Sequence, residues 1–258
     1  MTHKPWPLRD VTLKVLNLPL QTGFYQDFGL QLLDRSERHA TFATGDARLR
    51  LKLLTDGEPR PPLTAGLFHF ALLLPDRPAL GSFLRYAQGK PWQFVGAADH
   101  LVSESLYFSD PEENGIEVYA DRPAESWQWN DGRISMATLP LDLSELARSS
   151  GPDWQGFPLG SRLGHMHLTV ADLNRSQAFY EELGLHLTLD WGAFRFMAWD
   201  GYHHHLALNL VEGRNAAAVT PNINGLESFS VEHDTFPHGL VDPNGIQVSS
   251  AQELAQAE

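Results

Sequence analysis

Cysteine is absent from the 258 residues, which excludes disulfide frameworks, thiol nucleophiles and cysteine-based zinc sites. No apolar run reaches the ~18 residues of a membrane-spanning helix. The first ten residues, MTHKPWPLRD, lack the apolar core of a signal peptide, so a cytoplasmic location is expected. Positive charge is scarce: 19 Lys and Arg face 32 Asp and Glu, for a formal net charge of -13. That balance argues against nucleic acid or an anionic membrane as partner. It still permits a small anionic substrate, because a bound cation reverses the local field. What the chain has in quantity is histidine, 12 in all.

The stretch Gly164-His165-Met166-His167-Leu168-Thr169-Val170 reads as a strand with one apolar face. His165, His167 and Thr169 share the other face by strand alternation. A helix is expected next, from an Asp172 N-cap through Leu173, Tyr180 and Leu183 to a stop at Gly184. Residues 202–209, Tyr202-His203-His204-His205-Leu206-Ala207-Leu208-Asn209, read as a second His-bearing strand. Alternation there turns His203 and His205 one way and His204 the other. Two such strands in one small module suggest a metal site.

The chain repeats itself. Residues 10–34 match 165–189 over 25 ungapped positions at an offset of 155, with Phe24/Phe179, Tyr25/Tyr180 and Gly29/Gly184 in register. A looser pair joins Gly66–His69 to Gly225–Ser228, and Asp110–Val118 to Asp242–Val248. In the first copy 48 positions separate His69 from Glu117, but only 19 separate Ser228 from Gln247. The last copy has too little chain for a helix plus three strands. Four units result, at 8–56, 64–122, 162–213 and 223–250, the first three reading strand, helix, three strands. Residues 123–161 connect the halves. Their tryptophans, Trp127, Trp129 and Trp154, suggest a packed connector, with a short helical candidate at Leu141–Arg148.

These units, the GHMHLTV opening (164–170), the FYQDFGL and FYEELGL helix ends and the DPEENGIEV and DPNGIQV closing strands resemble the vicinal oxygen chelate superfamily. That superfamily includes glyoxalase I, bleomycin-resistance proteins and extradiol dioxygenases. GLFHFALLLPDR (66–77), ADHLVSESLYFSDP (98–111), GIEVYADRP (115–123) and GYHHHLALN (201–209) resemble more narrowly its two-half catechol 2,3-dioxygenase-like proteins. The resemblance implies an α+β fold of tandem βαβββ modules with curled mixed sheets. It places an N-terminal module pair at 1–122, the connector at 123–161, and a C-terminal pair with a truncated last module at 162–258.

In such folds the opening and closing strands of paired modules supply the metal ligands. Carried onto this chain, unit one offers Thr12 and Arg50, and unit four Ser228 and Gln247, none of them good ligands. Units two and three offer His69, Glu117, His167 and His205. The implied metal set is His69, Glu117 and His167, two imidazoles and one carboxylate, as suits Fe(II) with open positions, Mn, Ni or Zn being alternatives. Units two and three are then expected to share one cavity, a departure from the usual pairing of units three and four. His205, at a ligand position of glyoxalase-like modules, and His204 and His100 are the implied acid/base residues, with Asp99 orienting His100. Phe68, Phe70, Trp92, Trp191, Phe194 and Phe196 are candidates for an aromatic pocket or the core. His3, His39, His186, His233 and His238 read as structural or surface residues.

The function implied is extradiol cleavage of a catechol-like aromatic substrate by O2. The alternatives are a non-oxidative metalloenzyme of the same fold and a non-catalytic small-molecule-binding protein of the resistance type. The resemblance is compatible with a homo-oligomer.

Overall fold

The computed structural model describes residues 7–211, 216–232 and 239–250. Unit one comprises β1 (Leu8–Val15), α1 (Leu18–Asp27), β2 (Gln31–Arg35), β3 (His39–Thr44) and β4 (Ala47–Leu53). Unit two comprises β5 (Gly66–Leu74), α2 (Arg77–Ala87), β6 (Gln93–Asp99), β7 (Ser103–Ser109) and β8 (Gly115–Asp121). The connector carries the short β9 (Trp129–Asn130) and β10 (Arg133–Ile134), then α3 (Leu143–Arg148). Unit three repeats the pattern with β11 (Arg162–Thr169), α4 (Leu173–Glu182), β12 (His186–Asp190), β13 (Phe194–Ala198) and β14 (Leu206–Asn209). Unit four holds β15 (Gly225–Val231), β16 (Leu240–Val241) and β17 (Gln247–Ser250), with no helix among its described residues. Residues 233–238, including His233 and His238, lie outside the described residues, as does His3.

Local chemistry accounts for the matching helices of units one and three. Asn17 caps α1 by accepting from the Leu20 amide at 3.0 Å. Asp172 caps α4 by accepting from the amides of Asn174 and Arg175 at 2.8 and 3.1 Å. Both helices give way to a glycine in the left-handed region, Gly29 at φ 103° and Gly184 at φ 87°.

The strands form two large mixed sheets, each drawn from both halves of the sequence. One orders β16-β17-β15-β1-β4-β3-β2 and joins units one and four. The other orders β12-β13-β14-β11-β5-β8-β7-β6 and joins units two and three, the pairing that the distribution of candidate ligands pointed to. Its seam is the antiparallel pair β5–β11, with His69 opposite His167 and Ala71 opposite His165.

The apolar faces and the helices share one core containing Tyr25, Phe28, Phe70, Phe83 and Phe108. Trp92 packs against it, as do Trp154 and Phe157 of the connector, while Trp129, expected to help pack the connector, is exposed at its hairpin. Phe70 and Trp92 therefore belong to the core and not to a pocket. His39 and His186 are exposed. Among the described residues no helix is long and apolar enough to cross a membrane.

Candidate metal centre

The polar face of the β5–β11 seam looks into a cavity of about 910 Å³. His69 arrives from β5, Glu117 from β8 and His165 from β11, all three buried. Nε2 of His69 lies 2.9 Å from Oε2 of Glu117. Nε2 of His165 lies 3.0 Å from the same oxygen and 3.4 Å from the His69 nitrogen. Three Lewis-basic atoms thus form a small triangle, the only such His and carboxylate cluster among the described residues. Bonds of about 2.0–2.2 Å to one ion give edges of about 3 Å when the bonds are near perpendicular. The donor set and its spacing therefore fit a divalent metal.

Strand register explains which histidine joins the triangle. In β8–β5 pairing Glu117 stands opposite Ala71, and across the seam Ala71 stands opposite His165. His167 lies in the row of His69, their ring centroids 4.7 Å apart. Its Nε2 is already engaged by Nδ2 of Asn209 at 3.0 Å. Oδ1 of Asn209 accepts from Thr169 Oγ1 and the Val211 amide, which makes Nδ2 the group that donates to His167. The lone pair that His167 would give a metal is spent on that bond. His165, present on the His-bearing face but not assigned a role by sequence alone, occupies the position expected for His167.

Electrostatics follows from burial and proximity. Burial alone would raise the Glu117 carboxyl, but His165 and then His69 hold it well below the usual carboxylate range. Burial pushes His165 down, against the pull of Glu117. It pushes His167 well below the ordinary imidazole value, reinforced by His69 and His165. Nδ1 of His165 is buried without a hydrogen-bond partner.

The expected acid/base residues fall in different places. His100 lines the cavity, with Nδ1 2.7 Å from the Ala137 carbonyl and Nε2 2.7 Å from Tyr107 Oη. A carbonyl only accepts, so Nδ1 of His100 donates and Nε2 accepts from the Tyr107 hydroxyl. Asp99 does not orient His100, as expected from their adjacency, but pairs with Arg122 at 2.8 Å. The reason is geometric: Asp99 ends β6, and its side chain is drawn to the cation beyond β8.

Tyr107 is a residue that sequence reasoning missed. It stands opposite Glu117 in the β7–β8 ladder, and burial, with Glu117 beside it, keeps its hydroxyl protonated well above the ordinary phenol range. Hairpin pairing around Asp110–Gly115 would have pointed to it. His203, His204 and His205 precede β14 in a bend instead of lying within a strand, and all three are buried. Only His204 lines the cavity, its ring centroid 4.2 Å from that of His165. His205 lies behind it, between Tyr202 and Trp199. Phe68, Trp191, Phe194 and Phe196 supply the aromatic wall.

A tandem βαβββ fold with two large mixed sheets places the protein in the vicinal oxygen chelate class, and its buried His/His/Glu cluster could hold a metal ion. Residues 11–118 and 162–241 match the Glyoxalase/Bleomycin resistance protein/Dioxygenase superfamily, and the chain belongs to it. It is 37% identical over 246 residues to a Bacillus subtilis (strain 168) protein named catechol-2,3-dioxygenase, across 92% of this chain and 85% of that one. The fold is shared with a glyoxalase I mutant from Zea mays, at TM-score 0.56 and 15% identity over 93% of this chain and 91% of that one. It is shared also with a putative dioxygenase from Bacillus subtilis, at TM-score 0.55 and 12% identity over 88% of this chain and 69% of that one.

Proposed function

We propose that the protein is an Fe(II)-dependent extradiol dioxygenase acting on a catechol whose ring substituent is uncharged and apolar. The observation that carries this reading is the triangle of His69, Glu117 and His165 at the base of an aromatic-walled cavity. Those three residues would hold the metal, with a net charge of +1 on the ferrous site, which favours a catecholate monoanion. A bound ferrous ion supplies a chelation site for two adjacent ring oxygens and a path for electron density from the ring to O2.

The protein's own groups do the rest. Phe68, Phe194 and Phe196 bind the ring face and exclude water. His204 stands ready to accept the proton of a substrate hydroxyl, while His100, whose Nε2 accepts from the Tyr107 hydroxyl, holds that phenol in place beside Glu117. His167 orients the wall next to His69 through its bond to Asn209. Among the described lining residues Arg60 is the sole cation, and it donates to the Leu67 carbonyl at 2.7 Å. This lining favours a substrate whose remote part carries no carboxylate.

The test is anaerobic loading with Fe(II), then oxygen-uptake measurement on a panel of alkyl-, aryl- and carboxyl-substituted catechols. Oxygen uptake equal to the substrate consumed, with formation of a ring-opened product, is the expected result. Metal binding without oxygen uptake on any catechol points to a non-oxidative enzyme of this fold. Failure to bind any divalent metal points to a resistance-type binding protein.

A further inference from the structure

Behind the cavity wall, a chain of polar groups runs from His204 to Asp121. Nδ1 of His204 lies 2.7 Å from Nδ1 of His203. Nε2 of His203 lies 2.9 Å from Oδ1 of Asp121. The Tyr202 hydroxyl stands 3.2 and 3.0 Å from the two Asp121 oxygens, and the Tyr119 hydroxyl 2.7 Å from that of Tyr202. His203 is fully buried, ringed by Tyr202, Trp127 and Tyr119.

The direction of every bond follows from the Asp121 end. A carboxylate accepts and does not donate, so Tyr202 and His203 both donate to it. Tyr202, having spent its one proton, accepts from Tyr119. His203 carries its proton on Nε2, so in the neutral ring its Nδ1 accepts. The proton between the two imidazoles then belongs to His204, on Nδ1. Its other nitrogen, Nε2, is left with a bare lone pair, and it is the nitrogen not turned toward His203.

We infer that Asp121 and His203 are positioning residues that lock His204 in its Nδ1–H tautomer, presenting the Nε2 lone pair to the cavity as the acceptor for a substrate hydroxyl. This assignment rests on the catechol reading of the cavity only for the identity of the donor. The same logic governs carboxylate–imidazole pairs that fix the tautomer of an imidazole at a metal or beside a nucleophile. Here the carboxylate acts through a second imidazole. The glycine that opens the β11 motif belongs to the same device. A Cβ on Gly164 would lie 2.0 Å from Tyr119 Oη, so only glycine leaves room for the phenol that closes the chain.

The test reads protons directly. Protein labelled with [15N]histidine and loaded with Zn(II), a diamagnetic ion, gives long-range 1H–15N correlations that report which nitrogen of each ring is protonated. His203→Gln and His204→Gln assign the two signals. Wild-type His204 is expected as Nδ1–H with bare Nε2, and His203 as Nε2–H. Asp121→Asn, which offers one acceptor and one donor in place of two acceptors, should move His204 out of the Nδ1–H form. In the Fe(II)-loaded protein it should lower kcat on a catechol by about 100-fold, the scale of a lost acid/base contribution, with metal content unchanged. Wild-type His204 protonated on Nε2, or a His204 signal indifferent to Asp121→Asn, overturns the assignment. The expected tautomers in a protein that consumes no O2 uphold the positioning role and overturn the catechol reading alone.

Discussion

Glu117 and His165 meet across Ala71, their Oε2 and Nε2 atoms 3.0 Å apart although they lie on strands that do not pair with each other. The methyl side chain of Ala71 is what the central strand can offer without separating them. Ala71→Leu should drive the two ligands apart and lower metal retention at least about tenfold, with a stability cost of about 1–3 kcal/mol for overpacking. Metal content after gel filtration, alongside far-ultraviolet circular dichroism, checks this. Full metal retention by the leucine variant would move the site elsewhere.

The carboxylate itself should matter more than any supporting contact. Glu117→Gln keeps the shape and removes the charge, and should cost more than the about 10–100-fold typical of a lost supporting partner. Gln247→Ala, at the matching position of the other sheet, should leave metal affinity unchanged, since Gln247 is exposed there. Titration with Zn(II) followed by calorimetry separates the two variants, and the reverse ranking would place the site in units three and four.

A second relationship repeats with the duplication. The Tyr25 hydroxyl donates to Asp110 Oδ2 at 2.8 Å, and the Tyr180 hydroxyl to Asp242 Oδ2 at 3.0 Å. Each ties the helix of one unit to the closing turn of the next, and each aspartate also receives the side chain of its turn asparagine, Asn114 or Asn244. Tyr25→Phe and Tyr180→Phe should each cost about 1–3 kcal/mol, because a buried carboxylate loses a donor. The two losses should add, within about 0.5 kcal/mol, if the sites are independent. Urea denaturation of the single and double variants tests both statements.

Alkaline pH should unfold the protein early. Burial, the largest cause in each case, raises the phenols of Tyr25, Tyr107, Tyr119, Tyr180 and Tyr202 well above the ordinary value of 10.0. For a group whose folded pKa is raised, the stability is fully present below the unfolded value and is lost as pH rises toward the folded one. The urea midpoint should therefore hold steady to about pH 9 and fall steeply beyond about pH 10. Replacing Tyr25 and Tyr180 together by Phe should flatten that fall; an unchanged slope would contradict it.

Substrate charge should discriminate sharply. A catechol bearing a carboxylate on the substituent must place that charge in a cavity lined largely by aromatic and aliphatic groups, whose one cation among the described lining residues, Arg60, already donates to the Leu67 carbonyl, at a cost of at least about 1.4 kcal/mol, or tenfold. Its kcat/KM should fall by that factor or more relative to an alkyl catechol of equal size. Equal values for the two would mean that the substituent stays in water.

The duplication, the strand–helix–three-strand units and the shortened fourth unit were legible in the sequence because local patterns encode them. Apolar alternation, the Asn17 and Asp172 caps and the Gly29 and Gly184 stops each act within a few residues. His69 and Glu117 could be proposed from the sequence for a related reason: they sit at fixed places in motifs that open and close a unit. The choice between His165 and His167 was not, since both share one face of β11. It is decided by the register of β11 on β5, where irregularities set His165 level with Ala71 and Glu117. Asn209 then engages His167 from the neighbouring strand. The Asp121–His203–His204 chain was hidden likewise, joining residues 82 positions apart through a bend. Side-chain periodicity states which face a residue takes, while register and loop path, set by packing between distant segments, decide which atoms on that face can touch.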